Sequence, residues 1–99
     1  MFIVANRIPV AAKWHSEFES RFRQRAGEIN KQAGFVSMQI LKPVGDDAPY
    51  IVQTTWQDEN AFNSWVGSDD FKQAHQNPLP KEAFNGKPKM EKHRVVIAC

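Results

Sequence analysis

The stretch Phe2-Ile3-Val4-Ala5-Asn6-Arg7-Ile8-Pro9-Val10 decides how the rest of the chain is interpreted, because it predicts a first strand. Side chains alternate between the two faces of a strand, so the even-numbered positions share one face. All of them except Asn6 are apolar, which marks this face as core-facing. A buried carboxamide without a partner costs about 1–3 kcal/mol. Asn6 therefore has either a structural hydrogen-bond partner or a ligand that supplies one.

The next segments predict a helix and a hairpin. Over residues 13–30, one stripe recurs at helical spacing and contains Trp14, Phe18, Phe22, Arg25/Ala26 and Ile29. Gly34 follows at a position that commonly ends a helix. Strands are predicted over residues 35–41 and 50–57, and the proline-rich turn signal at residues 43–49 joins them as a hairpin.

The second half predicts two short helices, a loop and a last strand. Asp58 can cap a helix that turns three apolar side chains inward: Phe62, Trp65 and Val66. Gly67 interrupts this helix, and Ser68 begins a second segment whose inward residues are Phe71, Ala74 and His75. Residues 77–90, which contain three prolines, predict a long loop that either binds ligand or is mobile. An alternating pattern over residues 93–98 predicts the final strand.

The predicted order is βαββαβ, which indicates an α+β, ferredoxin-like fold with an antiparallel sheet and two helices on one face. We expect one domain over residues 1–99. The opposite face is expected to expose apolar area from Ile3 and Ala5, together with Val36, Met38 and Ile40 or their alternates. Such a patch usually marks an interface. The sequence therefore predicts a homodimer joined sheet to sheet, a dimeric α/β barrel.

Composition excludes several classes of partner. The net charge of +2 is too small to argue for nucleic acid. No apolar stretch approaches the roughly 20 residues that span a bilayer, and the N-terminus lacks the pattern of a signal peptide. Cys99 is the single cysteine, so an intrachain disulfide is impossible. These features favour a cytoplasmic protein without a membrane partner.

His75 is the first candidate for chemistry, since it shares a helix face with apolar residues. One explanation is a core histidine bonded to the backbone. The other is a neutral imidazole that binds a metal or a heme iron. No cysteine or second inward histidine accompanies it at zinc-like spacing, whereas a heme needs a single protein ligand.

Trp65 and Arg25 each leave two explanations open. Trp65 is either a core residue or the wall of a flat apolar cavity. Arg25 either keeps its guanidinium in water or holds a ligand carboxylate with two hydrogen bonds. Arg21 and Arg23 are predicted on other, solvated faces. No nucleophilic triad, phosphate-binding glycine loop, flavin site or nicotinamide site is recognisable.

Three segments together carry a family resemblance. They are Val4-Ala5-Asn6-Arg7-Ile8, Arg21-Phe22-Arg23-Gln24-Arg25 with Gly34-Phe35, and Trp56-x5-Phe62-x2-Trp65-x2-Ser68-Asp69-x-Phe71-Lys72-x-Ala74-His75. With them the chain resembles the antibiotic-biosynthesis-monooxygenase superfamily, in particular its heme-degrading branch, the IsdG-type monooxygenases. The resemblance covers essentially the whole chain, although residues 77–90 match no family pattern.

The resemblance implies an oxidoreductase that cleaves the porphyrin ring with dioxygen and releases iron and an open-chain tetrapyrrole. Heme would be both substrate and cofactor, and electrons would come from an external donor. The family's triad falls on Asn6, Trp65 and His75. His75 would be the axial ligand of the heme iron, Asn6 would donate to iron-bound dioxygen, and Trp65 would distort the ring. Further heme contacts are implied for Phe22, Phe71 and Arg25, the last at a propionate.

Two other functions stay open. The first is a cofactor-independent monooxygenase of a polycyclic phenol or quinol, in which Asn6 and Trp65 position the substrate and His75 is incidental or a base. The second is a non-catalytic heme-binding or structural dimer. The sequence does not decide the ring carbon that is cleaved, the carbon product, the reductase, or whether the role is iron acquisition or heme detoxification.

Overall fold

Four strands form one antiparallel sheet in the order β2-β3-β1-β4. The structure is a computed structural model that describes residues 1–45 and 48–99; the side chains of Arg25 and Ala26 lie outside this description. Its elements are β1 (Phe2–Ile8), α1 (His15–Ile29), β2 (Phe35–Leu41), β3 (Tyr50–Trp56), α2 (Glu59–Val66), α3 (Asp69–Ala74) and β4 (Lys89–Arg94), with short 3₁₀ turns at Ala12–Trp14 and Lys81–Ala83. The predicted α+β, ferredoxin-like arrangement is confirmed.

β1 lies in the middle of the sheet and pairs with β3 and β4. The predicted alternation is confirmed, because Phe2, Val4 and Ile8 are buried on the face that the helices cover. The strand ends at Ile8, two residues earlier than predicted. Pro9 has no N–H for the ladder, although Val10 is still buried and forms an isolated bridge with Phe84.

Two aromatic clusters fill the space between sheet and helices. One surrounds Trp56, which is fully buried and donates its indole N–H to Thr54 Oγ1 at 2.9 Å. The other surrounds Tyr50 and Phe18, whose rings lie 4.8 Å apart. Because aromatic side chains bury large apolar areas, these two clusters supply much of the stabilisation of so small a fold.

The helix boundaries follow the predicted caps. Asp58 accepts a hydrogen bond from the Ala61 N–H at 2.8 Å at the start of α2, and Ser68 accepts one from the Phe71 N–H at 3.1 Å at the start of α3. Gly67 separates the two helices as predicted. In the described part of the chain, no helix is both long and apolar enough to cross a membrane.

The last strand was predicted wrongly. It covers Lys89–Arg94 and not residues 93–98. Its partner β1 begins at Phe2, which faces Arg94, so the residues after Arg94 have almost no strand left to pair with. Val95 makes one hydrogen bond, to the Met1 carbonyl, and Val96 and Ile97 are exposed. The observed strand is rich in charged residues, as edge strands often are, so the apolar alternation used for the prediction did not reveal it.

The segment between α3 and β4 is packed against the body. Ala83 is fully buried, its carbonyl accepts from Ala11 N–H at 2.7 Å, and Asn85 N–H donates to the Pro9 carbonyl at 2.8 Å. Leu79 and Phe84 pack onto the cluster around Tyr50. The predicted loop of residues 77–90 is therefore anchored on both sides of a 3₁₀ turn, and its last two residues belong to β4.

The sheet face opposite the helices is less apolar than predicted. A register shift between Phe35 and Ser37 sets the alternation of β2, and Met38 and Ile40 lie on the helix side, where they pack against the core clusters. Alternation leaves Leu41 on the open face, with Ile3, Ala5 and Ile51 as further apolar residues. Of the predicted turn at residues 43–49, Asp46 and Asp47 lie outside the described residues.

Gly34 gives a sharp test of the packing between the end of α1 and α2. Its φ of +79° is left-handed, and a Cβ built there would lie 2.5 Å from Ala61 Cβ. We expect Gly34→Ala to lower the free energy of unfolding by at least about 2 kcal/mol, through backbone strain and the clash together. Urea unfolding followed by tryptophan fluorescence measures this.

Gly27→Ala is the matched control, because Gly27 lies inside α1 and its Cβ would meet nothing within 4 Å. Alanine is the better helix former, so this variant should gain about 0.5–1 kcal/mol. A loss of stability in Gly27→Ala equal to that in Gly34→Ala would contradict the packing argument.

Candidate active site

The three residues Asn6, Trp65 and His75 line one cavity between the sheet and the helices. They come from β1, from α2 and from the end of α3. The cavity measures about 110 Å³. Apart from Asn6, Thr54 and His75, its lining is apolar, with contributions from Val4, Phe22, Ile29, Met38, Val52, Phe62, Trp65, Ala74 and Met90. Folding therefore brings the predicted triad together at a single, mostly apolar space.

Asn6 is half-buried, and no described residue hydrogen-bonds its carboxamide. Its strand neighbours are Val52 on β3 and Met90 on β4, neither of which has a polar side chain. Thr54, the nearby hydroxyl, already accepts from the Trp56 indole. Among the described residues, the structural partner that Asn6 would need is missing, which favours the ligand explanation.

His75 is exposed and follows the last residue of α3, so it is less buried than predicted. Its ring still borders the cavity. Nδ1 donates to the Phe71 carbonyl at 2.8 Å, and the ring packs against the Phe71 ring with centroids 4.1 Å apart. In neutral imidazole this hydrogen bond leaves the lone pair on Nε2. His75 thus offers one oriented nitrogen ligand.

Trp65 is both a core residue and part of the cavity wall, so both explanations that the sequence left open are correct. It is only 7% exposed and packs in the cluster around Trp56, and it also forms part of the cavity wall. The Phe71 ring packs edge-on against the Trp65 ring, with centroids 5.4 Å apart, and it therefore contacts both Trp65 and His75. Phe71 does not border the cavity, so its implied contact with a cofactor stays a prediction.

Ser68 fixes the two helices relative to each other. Its hydroxyl donates to the Trp65 carbonyl at 2.7 Å and accepts from the Phe71 N–H at 3.1 Å. One side chain therefore ends α2 and starts α3. This junction sets the spacing between Trp65 and His75.

A second cavity of about 220 Å³ adjoins the first and shares four lining residues with it, namely Asn6, Phe22, Val52 and His75. Its outer wall comes from the segment after α3 and includes Pro78, Leu79, Phe84 and Pro88. Sequence reasoning missed these residues, although Leu79 and Phe84 are conspicuous apolar residues in a proline-rich stretch. Neither cavity alone reaches the roughly 300 Å³ of a typical ligand pocket, but the adjoining pair extends over that size.

Of the described arginine side chains of α1, Arg21 differs from the prediction and Arg23 agrees with it. Arg21, expected to be solvated, borders the second cavity, pairs with Glu17 at 3.4 Å and donates to the Asn77 carbonyl. Arg23 is exposed and pairs with Glu19, as expected for a surface residue. The side chain of Arg25 lies outside the described residues, so its contact with a carboxylate stays a prediction.

A polar cluster beside Phe22 has a structural role. The buried Tyr50 hydroxyl donates to Glu19 Oε2 at 2.5 Å, and Lys42 lies 3.6 Å from the same carboxylate. This hydrogen bond, followed by the charges of Lys42 and Arg23, lowers the pKa of Glu19. Burial and then Glu19 raise the pKa of Tyr50. The contribution of Glu19 to stability is thus present above its ordinary pKa and lost in acid, and it ties α1 to β3.

No three histidine, cysteine, aspartate or glutamate side chains of the described chain lie close enough together to hold a metal ion. A metal bound in the central cavity would therefore depend on His75 as its protein ligand. That arrangement suits a metal whose other ligands are supplied by a macrocycle.

The fold and this site define a small, ferredoxin-like domain with an apolar cavity between its sheet and its helices. The family model for antibiotic biosynthesis monooxygenases matches residues 1–77. The chain belongs to this family.

Curated relatives place the chain with the heme oxygenase members. It is 37% identical over 79 residues to a staphylobilin-producing heme oxygenase of Staphylococcus haemolyticus, and this alignment covers 78% of the chain and 75% of the relative. It is 38% identical over 61 residues to a mycobilin-producing heme oxygenase of Mycobacterium tuberculosis, and this alignment covers 62% of the chain and 58% of the relative. The predicted family, and the prediction of an enzyme of the monooxygenase class, are confirmed.

Solved structures share the fold of this chain. The heme degrader MhuD from Mycobacterium tuberculosis, with two hemes in its active site, superposes with a TM-score of 0.82 at 28% identity over 100% of this chain and 99% of that one. SnoaB, a cofactor-independent oxygenase from Streptomyces nogalater, gives a TM-score of 0.77 at 23% identity over 98% and 94%. The second likeness shows the shared fold.

Proposed function

We propose that this protein is a heme-degrading monooxygenase that opens the porphyrin ring with dioxygen and electrons from an external donor. One observation carries the proposal: an imidazole with a free Nε2 and a carboxamide without a described partner border the same apolar cavity. The heme oxygenase relatives support the choice of substrate.

The residues present fit a heme. A single histidine suffices as protein ligand to its iron, and the apolar side chains of the cavity suit a flat macrocycle. The adjoining cavity of about 220 Å³ extends this space, since it shares Asn6, Phe22, Val52 and His75 with the central one. When bound, heme supplies the iron at which dioxygen is activated and the ring that is oxidised.

Each residue of the triad has a distinct task in this proposal. His75 binds through Nε2, while the Phe71 carbonyl holds Nδ1–H and keeps the ring oriented. Asn6 donates its side-chain N–H to negative charge that develops on oxygen, in a position fixed by the central strand. Trp65 is held by the core cluster and lines the cavity, so its indole would contact a macrocycle bound there and distort it.

Two further features of the system are proposals. Electrons come from an external reductant in the cytoplasm. The chain forms a homodimer through the open sheet face, because Ile3, Leu41 and Ile51 lie on the side away from the helices. Cross-strand polar pairs on the same face, such as Gln39 with Gln53, can rearrange across a two-fold axis.

Hemin titration tests the proposed function. We expect the purified chain to bind hemin with a shifted Soret band, and the band to decay with iron release when ascorbate is added in air with catalase present. His75→Ala should weaken hemin binding by at least about tenfold to a hundredfold, because that is the range found when only a group that orients a metal ligand is lost. His93→Ala is the matched control, since His93 lies opposite Ile3 on the other sheet face.

The outcomes separate the alternatives. Hemin that does not bind would exclude heme degradation and leave the quinol monooxygenase and the structural dimer. Binding with a stable Soret band would indicate a passive heme binder. Equal hemin affinity and spectra for His75→Ala and the wild type would remove His75 as the ligand.

Asn6→Ala tests the distal role. Because no described residue bonds the carboxamide, we expect the free energy of unfolding, measured with urea, to change by no more than about 0.5 kcal/mol. Loss of one donor at a developing charge typically costs about 10²–10³ in rate, so the Soret decay should slow sharply while hemin still binds. A variant that folds poorly yet degrades heme at the normal rate would assign Asn6 a structural role.

Sedimentation equilibrium tests the dimer. We expect a mass of two chains for the wild type. Ile51→Lys, on the open sheet face, should yield monomers, because a buried unpaired charge opposes association. Val66 was predicted on the apolar face of α2 with Phe62 and Trp65, but it is 39% exposed, so this prediction was wrong. Val66→Lys should therefore remain dimeric. Dissociation by Val66→Lys but not by Ile51→Lys would place the interface elsewhere.

A further inference from the structure

Met90 is a cavity residue that the sequence did not single out. It lies on β4 directly opposite Asn6 on β1. Opposed residues in an antiparallel pair put their Cβ atoms about 4.5–5.5 Å apart on the same face. Met90 borders the central cavity together with Asn6 and His75, and it is 53% exposed. A thioether therefore lies beside a carboxamide that no described residue hydrogen-bonds, at the open edge of the cavity.

A thioether next to an oxygen-activating site is a target for oxidation. We propose that Met90 is a self-oxidation site of this enzyme, converted to its sulfoxide by hydrogen peroxide formed in the cavity. The inference rests on the proposed function, in which dioxygen and an external reductant meet there. Dioxygen takes up two electrons and two protons to give the peroxide.

The transfer is balanced. The Met90 sulfur attacks one peroxide oxygen, the O–O bond breaks, and the other oxygen leaves with both protons as water. Sulfur loses two electrons and the peroxide gains them. No further oxidant is needed.

Oxidation at this position changes the site chemically. A sulfoxide is polar, and its oxygen is a hydrogen-bond acceptor. Asn6, opposite Met90, has a side-chain N–H that no described residue accepts. The sulfoxide can accept this hydrogen bond and occupy the donor on which the proposed oxygen chemistry depends. Self-oxidation of Met90 thus slows turnover.

The chain contains its own controls. Met1 is 59% exposed, about as much as Met90, but does not border the cavity. Met38 borders the cavity from β2, which β3 separates from the strand of Asn6. Bulk peroxide should oxidise Met1 and Met90 alike, whereas peroxide formed beside Asn6 should reach Met90 first.

Peptide mass spectrometry after turnover tests the proposal. The untagged chain degrades hemin with ascorbate in air, with catalase present to remove bulk peroxide. Cleavage after glutamate separates the three methionines into peptides 1–17, 29–59 and 83–91. We expect sulfoxide at Met90 to exceed that at Met1 and Met38 on the order of tenfold, because proximity raises the effective concentration of the oxidant. Added peroxide without hemin should remove the difference between Met1 and Met90.

Each other outcome counts against the proposal. Heme degradation that leaves Met90 unoxidised would overturn the self-oxidation site and leave the proposed function intact. Equal oxidation of Met38 and Met90 would overturn the placement beside Asn6. Hemin that neither binds nor decays would overturn both. In Met90→Leu, which keeps an apolar wall of similar volume, a matching rise of sulfoxide at Met1 would mean that the oxidant acts from solution.

Discussion

The register of β1 between β3 and β4 is the constraint on which the rest of the structure depends. A shift of one residue would move every side chain of the strand to the other face. Phe2 and Val4, each 4% exposed, would then leave the core, and Arg7 would replace Asn6 beside Val52 and Met90. Because the burial of these apolar side chains opposes such a shift, the same interactions that stabilise the sheet also hold the carboxamide at the cavity.

The junction of α2 and α3 plays the corresponding part for the other two residues of the triad. Ser68 accepts from one helix and donates to the other, and Phe71 packs against both Trp65 and His75. The result is a wall that is buried on the Trp65 side and exposed on the His75 side. In the proposed function, an open side would let a large flat ligand enter and its product leave.

Local patterns predicted most of the fold, and non-local pairing explains the failures. Alternation in β1 and the caps at Asp58 and Ser68 depend on nearby residues, so the sequence alone located them, together with Asn6 and Trp65. The last strand failed because its pairing is set by the start of β1, far away in sequence. The second cavity was missed for the same reason, since the bridge between Val10 and Phe84 positions its outer wall. His75 was placed too deep because helical periodicity does not show where a helix ends.

The distribution of hydrogen bonds around the cavity separates structural polar groups from those available to a ligand. The Trp56 indole, the Thr54 hydroxyl, the Tyr50 hydroxyl and His75 Nδ1 all have protein partners. Among the described residues, the Asn6 carboxamide and His75 Nε2 have none. Neither atom is fully buried, so solvent limits the stability cost of leaving them unpaired. A ligand that fills the apolar cavity excludes that solvent, and the hydrogen bond from Asn6 then acts in a medium of lower dielectric, where it is stronger. The two polar groups thus cost the fold little, and a ligand that fills the cavity would strengthen the hydrogen bond from Asn6.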